Sequence, residues 1–148
     1  MTPRELLTEK IKLAKVKKKV AWPQLAKAVG KAPAWTTAAL LGQMSMSAEE
    51  AGAVGRMLDL TEDDVALLQT VPYRGSLPPG PPTDPLVYRL YELIQVYGTT
   101  FKALIEEEFG DGIMSAIDFS MDLKRVADPK GDRVQIPLNG KFLPYKKY

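Results

Sequence analysis

A proline-rich segment near the middle of the chain sets the strongest limit on its fold. Residues 71–85, VPYRGSLPPGPPTDP, hold six of the twelve prolines in the 148-residue chain. Proline lacks a backbone N–H and fixes φ, so a stretch this dense cannot continue a helix or form a central strand. It must run as an extended connector. The sequence therefore predicts one domain over residues 1–70, a linker over 71–84 and a second domain over 85–148.

The residues before this linker carry the start and stop signals of five short helices. Thr2, Pro3 and Glu5 form a capping box that opens the first helix. Gly30 and Gly42 close the second and third helices, because glycine readily takes the left-handed conformation that ends a helix. The predicted helices cover about residues 2–19, 23–30, 34–42 and 47–58, with a fifth starting near residue 61.

Five short helices with a tight turn between the second and third resemble the helix-turn-helix bundle of repressor-like DNA-binding proteins. The third helix would then enter the major groove. It presents Trp35, Thr36 and Thr37 with Ala and Leu, and has no Arg, Asn or Gln to read base edges. Eight lysines without an acid between positions 10 and 31 can attract a polyanion, but we interpret them as a solvated helix face. A DNA-binding regulator is kept as the alternative function, with DNA disfavoured as a partner.

After the linker, helical spacing continues for about 25 residues. Asp84 followed by Pro85 predicts a helix start, with an acidic N-cap and proline in the first turn. Gly98 predicts the end of that helix, and apolar residues at helical spacing predict another helix over residues 100–109.

From Ile117 onward, apolar and polar residues alternate, which predicts a strand up to about residue 124. The stretch DPKGD, residues 128–132, predicts a turn into a second strand over residues 134–138. Asn139 and Gly140 then predict a tight hairpin turn leading to Phe142.

These elements predict an α+β chain: an all-helical N-terminal bundle followed by a small α+β domain. A domain of about 64 residues with one sheet buries little surface and is marginal alone. We therefore expect it to complete itself by dimerisation, as an obligate homo-oligomer.

The chain contains no histidine and no cysteine. Zinc sites built from Cys and His, Ser-His-Asp triads and Cys-His nucleophiles are therefore excluded. Carboxylates, hydroxyls, Lys, Arg and backbone dipoles remain, which favours the binding and orienting of charged substrates. No apolar run is long enough to cross a membrane, and the absence of cysteine favours a cytoplasmic location.

The helix that begins at Pro85 carries Arg89 and Glu92, three positions apart beside an apolar stripe. The ordinary interpretation is an exposed ion pair, which contributes about 0.2–0.5 kcal/mol to a helix.

The stretch YRLYELIQVYGTTFKALIEEEFGDGIMSAIDF, followed by KRVADPKGDR, closely resembles the C-terminal domain of cyanases, also called cyanate hydratases or cyanate lyases. TTAALLGQ and LDLTEDDVALLQ resemble the helical domain of the same family. The resemblance runs from about residue 10 to residue 145 without a large insertion.

This resemblance implies a bicarbonate-dependent decomposition of cyanate to carbamate and carbon dioxide, after which carbamate gives ammonia and a second carbon dioxide. It implies Arg89, Glu92 and Ser115 as catalytic residues and bicarbonate as co-substrate, with no cofactor and no metal. It also implies a homodecamer of five dimers with sites formed between subunits.

The resemblance leaves the roles of two of these residues open. Glu92 would hold Arg89 in a productive rotamer, carry a proton when buried, or reach Arg89 of a neighbouring subunit; we favour the first. Ser115 would donate to cyanate or to the adduct, and without the resemblance it would be an ordinary small residue before a strand. Gly110 and Gly112 precede it and predict exposed N–H groups that add to an anion cradle.

Overall fold

The computed structural model describes all residues from Met1 to Tyr148 and contains six helices and four strands. The helices are α1 (Pro3–Lys17), α2 (Trp22–Val29), α3 (Pro33–Leu40), α4 (Ala48–Leu58), α5 (Glu62–Leu68) and α6 (Pro85–Phe109). The strands are β1 (Gly112–Met121), β2 (Lys124–Val126), β3 (Arg133–Gln135) and β4 (Leu138–Pro144). The predicted α+β class with an N-terminal helical bundle is confirmed.

Residue contacts divide the chain into two units. The first unit comprises Met1–Ser76 and Met121–Pro137, and the second comprises Leu77–Ser120 and Leu138–Tyr148. Residues 71–84 contain no helix or strand, as the prolines require. The division into domains at 1–70 and 85–148 stays a prediction. No helix is long and apolar enough to span a membrane.

The five short helices of the first unit form as their end signals predict. The side-chain oxygens of Thr2, Ser47 and Thr61 each cap a helix by accepting the backbone N–H three residues later. In return, the backbone N–H of each cap donates to the acidic side chain at that later position. Gly30 ends α2 in the left-handed conformation, with φ of 77°. The buried core of this bundle consists of Leu7, Ile11, Leu25, Ala39, Leu40, Met46, Ala51, Val54, Leu58 and Leu68.

Arg4 ties the ends of the bundle together. Its guanidinium donates to the carbonyl oxygens of Leu67 at 2.7 Å and of Ala39 and Met44 at 3.0 Å. These carbonyls belong to the last turns of α3 and α5 and to the loop after α3, where the regular bonds of the helix interior come to an end. Partial burial lowers the pKa of Arg4 below its usual value.

The predicted helix break at Gly98 is wrong, because α6 runs without interruption from Pro85 to Phe109. Gly98 does not take a positive φ, unlike Gly110, which follows the last residue of α6 with φ of 95°. A glycine inside a helix costs about 1 kcal/mol relative to alanine, a cost that a helix of 25 residues tolerates.

The predicted strand boundaries are corrected in three places. β1 begins at Gly112, five residues before the expected Ile117, and ends at Met121. Asp122 and Leu123 then separate β1 from β2, and Ile136 and Pro137 separate β3 from β4. The DPKGD turn is confirmed: β2 pairs with β3 in antiparallel register, with Arg125 opposite Val134.

The predicted hairpin turn at Asn139 and Gly140 is wrong. Both residues lie inside β4, which pairs with β1. Neither has a positive φ, which the two-residue hairpin turn would require. A glycine inside a strand often marks a place where another backbone passes close by. Gly140 lies at such a place, next to the backbone of β1.

Candidate active site

The structure places Arg89 and Glu92 together on the first turns of α6. Arg89 Nη1 lies 3.5 Å from Glu92 Oε2, a long ion pair. The side chains keep 69% and 51% of their surface exposed within the single chain. The Arg89 guanidinium also lies 5.7 Å from the ring centre of Tyr88. Glu92 is therefore in position to orient Arg89, while its own chain buries only about half of its surface.

The start of α6 fixes where this pair stands. The carboxylate of Asp84 accepts hydrogen bonds from the backbone N–H groups of Leu86 at 3.0 Å and Val87 at 2.9 Å. Pro85 occupies the first helical position, where its missing N–H removes no bond. Arg89 follows one turn later, so the cap sets the point on the chain from which the guanidinium extends.

Ser115 lies inside β1 rather than before a strand, and only 4% of its surface is exposed. It is the only buried residue between residue 73 and the C-terminus. Its Oγ accepts hydrogen bonds from the backbone N–H groups of Ile117 at 3.0 Å and Asp118 at 2.9 Å. The hydroxyl hydrogen has no acceptor in the chain, so the group remains able to donate one hydrogen bond.

The three predicted site residues are not all in contact within one chain. Arg89 and Glu92 form a pair, but no hydrogen bond or ion pair joins Ser115 to either of them. Two surface hollows of about 440 and 490 Å³ both lie in the first unit and include none of the three. Within a single chain, the second unit therefore leaves Ser115 without a hydrogen bond to the Arg–Glu pair.

The backbone on both sides of Ser115 offers less to an anion than the sequence predicts. The N–H of Gly110 donates to the carbonyl oxygen of Glu106 at 2.9 Å, which closes the end of α6. The N–H groups of Ile117 and Asp118 are used by Ser115 itself. The expected contribution of Gly110 to an anion cradle is wrong. No cluster of three or more acidic side chains stands close enough to hold a metal ion.

An apolar surface surrounds this candidate site. No residue of α6 is buried, and the stripe formed by Leu90, Leu93 and Ile94 keeps 47%, 44% and 56% of its surface exposed. On β1, Ile117 is 97% exposed. Contiguous apolar side chains with this much exposed surface are typical of sites that contact another protein surface.

Together, the fold and the site define a two-unit α+β protein whose second unit carries an Arg–Glu pair and a buried serine beside uncovered apolar surface. Comparison with known proteins identifies the class further. Residues 4–72 match the family model described as "Cyanate hydratase, N-terminal", and residues 79–147 match "Cyanate lyase C-terminal domain".

Full-length relatives agree with these matches. The chain is 66% identical to a cyanate hydratase of Dechloromonas aromatica and 65% identical to one of Thiobacillus denitrificans. In both cases the match covers 98% of this chain and 99% of the relative. The crystal structure of cyanase from T. urticae has a TM-score of 0.82 and 36% identity, covering 93% of this chain and 96% of that one.

The chain belongs to the cyanate hydratase family of enzymes. The family resemblance seen in the sequence is confirmed. The DNA-binding alternative gains no support from these comparisons.

Proposed function

We propose that this enzyme decomposes cyanate with bicarbonate as the co-substrate. The observation that carries the proposal is the 66% identity to a cyanate hydratase over 98% of this chain and 99% of the relative. A bicarbonate oxygen forms a bond to the cyanate carbon, and the cyanate nitrogen takes up two protons, one from the medium and one from the hydroxyl group of the bicarbonate. The bond between that oxygen and the bicarbonate carbon then breaks, which releases carbon dioxide and leaves carbamate. Carbamate takes up a further proton and separates into ammonia and carbon dioxide.

Arg89 offsets the charge of the two anions. Cyanate and bicarbonate repel each other, and a guanidinium remains charged while its planar fork donates two parallel hydrogen bonds to an oxyanion. In the single chain its side chain is 69% exposed, which leaves these donors accessible. Its contribution to the reaction is therefore to hold the anions together and stabilise the negative charge of the adduct.

Glu92 acts on Arg89 rather than on the substrate. A half-exposed pair at 3.5 Å contributes little to stability. It does restrict the directions in which the guanidinium can point, and an oriented charge is worth more than a mobile one in a reaction site. The alternatives, proton donation and pairing with Arg89 of a neighbouring subunit, require Glu92 to be covered by another chain.

Ser115 donates its hydroxyl hydrogen to cyanate or to the adduct. Its Oγ already accepts two backbone hydrogen bonds, so the hydrogen faces no competing acceptor within the chain. Accepting bonds also polarises the O–H group and strengthens it as a donor. Because only 4% of the residue is exposed, the group fits a small linear anion better than a bulky one.

A homo-oligomer completes the site. Ser115 has no hydrogen bond to Arg89 or Glu92 in one chain, and the apolar stripe of α6 is uncovered. A neighbouring copy that covers this stripe would bury the Arg–Glu pair and close a pocket around it. We propose a decamer of five dimers with shared sites, located in the cytoplasm. Bicarbonate supplies the nucleophile, so the proposed reaction uses no metal and no organic cofactor.

Ammonia release from cyanate by the purified protein, with and without added bicarbonate, tests the proposal. We expect release that depends on both anions and saturates with each. Release that is indifferent to bicarbonate would contradict the two-substrate reaction. No release from a well-folded oligomer would contradict the proposed function as a whole. Light scattering on the same sample gives the number of subunits.

A further inference from the structure

Gly140 lies on β4 at the point where this strand passes closest to Ser115. A Cβ atom at position 140 would lie 2.5 Å from Met114 Cγ and closer still to the carbonyl oxygen of Ser115. Cβ atoms in proteins essentially never come within 3.0 Å of other heavy atoms, so no side chain fits there without a shift. The φ of Gly140 is not in the left-handed region, so the requirement is for space rather than for an unusual backbone conformation.

The obstruction concerns the backbone of Ser115, which cannot give way as a flexible side chain can. Moving the carbonyl oxygen of Ser115 rotates the peptide group that joins it to Ala116. This rotation changes the direction of the Cα–Cβ bond of Ser115 and the position of the next N–H groups. The bonds from Ile117 and Asp118 to Ser115 Oγ, at 3.0 and 2.9 Å, depend on both.

We propose that Gly140 is a positioning residue for Ser115. Because it has no side chain beside the Ser115 carbonyl, Gly140 lets β4 pack against β1. The hydroxyl group of Ser115 then keeps the orientation that its two backbone donors give it. This inference rests on the proposed role of Ser115 in the reaction. A misplacement of about 1 Å at a reacting group lowers the rate by roughly 100-fold, so a displacement of this small size is enough to matter.

Gly140→Ala is the first variant to measure. We expect kcat for bicarbonate-dependent ammonia release to fall by about 10- to 100-fold, because the displaced hydroxyl no longer meets the adduct. The KM values should change less, because Arg89 supplies the main attraction for both anions. Oligomer size by light scattering and the circular dichroism spectrum should match those of the wild type.

Gly112→Ala is the matched control. A Cβ at Gly112 would also meet backbone and ring atoms of β4, those of Leu143 and Phe142. It therefore strains the same pair of strands, but away from Ser115. Combining each variant with Ser115→Ala separates a specific effect from a general one, since residues that act through one another give non-additive effects. Gly140→Ala should slow the Ser115→Ala enzyme by less than twofold, whereas Gly112→Ala should slow both backgrounds by the same factor.

Each result decides the matter. Wild-type kcat in Gly140→Ala, or a loss of the same factor in the Ser115→Ala background, overturns the inference. Wild-type kcat in Ser115→Ala shows instead that the proposed role of Ser115 is wrong, and the inference falls with it. If Gly140→Ala does not assemble, the double variant Met114→Ala/Gly140→Ala removes one of the two obstructing groups and is compared with Met114→Ala. Failure of both to assemble would show that Gly140 serves the fold, which also overturns the inference.

Discussion

The helical bundle and the second unit differ in how much apolar surface they bury within one chain. The bundle encloses ten apolar side chains with its own helices. The second unit encloses only Ser115, a polar residue, and leaves the apolar stripe of α6 uncovered. Hydrophobic burial is the main favourable term in folding, so within one chain the bundle gains far more stability from burial than the second unit does. The part of the molecule that carries Arg89, Glu92 and Ser115 is thus the part for which we propose a neighbouring copy.

The positions of the tryptophans make this difference measurable. Trp22 and Trp35 are the only two in the chain, and both lie in the helical bundle. Tryptophan fluorescence during unfolding therefore reports on the bundle, while ammonia release and light scattering report on the second unit and on the oligomer that we propose it forms. Each variant below is expected to move one set of signals and to leave the other unchanged.

Arg89→Lys should have the largest effect, on turnover alone. An ammonium cannot reproduce the bidentate fork of the guanidinium, so we expect kcat/KM to fall on the order of 100- to 1,000-fold. Steady-state kinetics measure this loss, and fluorescence and light scattering should show unchanged bundle stability and size. Arg56→Lys, an exposed arginine on α4, is the control and should keep full turnover. Near-normal turnover in Arg89→Lys would show that the arginine fork is not used.

Ile94→Asp should break the assembly. Its side chain is 56% exposed in the single chain and lies on the uncovered stripe, where a buried charge without a partner is strongly unfavourable. We expect smaller species in light scattering and loss of activity, with the bundle still folded by fluorescence.

Leu25→Ala should destabilise the bundle and leave the second unit unchanged, the reverse of what we expect for Ile94→Asp. Leu25 is fully buried in the bundle, and its truncation should lower the free energy of unfolding seen by fluorescence by about 2–5 kcal/mol. That loss should not depend on protein concentration, whereas the defect of Ile94→Asp should lessen as concentration rises. An Ile94→Asp protein of wild-type size would refute the assignment of this stripe to an interface.

Asp64→Asn should affect the bundle but not turnover. Partial burial raises the pKa of Asp64, but hydrogen bonds from Lys10 and from the backbone and side chain of Thr61 outweigh it and lower the pKa overall. The resulting stability is complete above the ordinary pKa of 3.8 and is lost as the pH falls through the lower folded-state value. We expect urea unfolding at pH 7 to show a loss of about 1 kcal/mol, which disappears in strong acid.

Asp63→Asn is the control for this measurement, because Asp63 is the preceding acid of the same helical turn and is exposed without an ion pair. It should lower the free energy of unfolding by less than Asp64→Asn at pH 7. Equal losses would attribute the effect to the helix dipole instead of to the pairing with Lys10.

The sequence predicted the two units unequally well, for a physical reason. Helix caps and left-handed glycines are local signals, so all five bundle helices were predicted within a few residues. Helical spacing predicted that Arg89 and Glu92 lie side by side, but only the family resemblance marked them as candidate catalytic residues. Gly98 was wrongly predicted to end a helix, and Gly140 was wrongly predicted to form a turn. Glycine can end a helix, bend the chain or leave space for a neighbouring segment, and only the packing of distant segments determines which of these it does. The burial of Ser115 depends on β4, which follows it by more than 20 residues.

Thr36→Val should have the smallest effect, and it tests whether the bundle is as complete as its apolar core suggests. Thr36 on α3 is fully buried, and its hydroxyl is the one buried side-chain group without a hydrogen-bond partner. With no exposed surface, it cannot gain a partner from a neighbouring copy either. Valine keeps the shape and removes the unpaired group, so fluorescence should show the bundle stabilised by about 0.5–1 kcal/mol. Thr37→Val, at the partly exposed next position, should leave stability nearly unchanged. Destabilisation by Thr36→Val would mean that this hydroxyl has a bonding partner after all, and that the bundle, like the second unit, buries a polar group for a purpose.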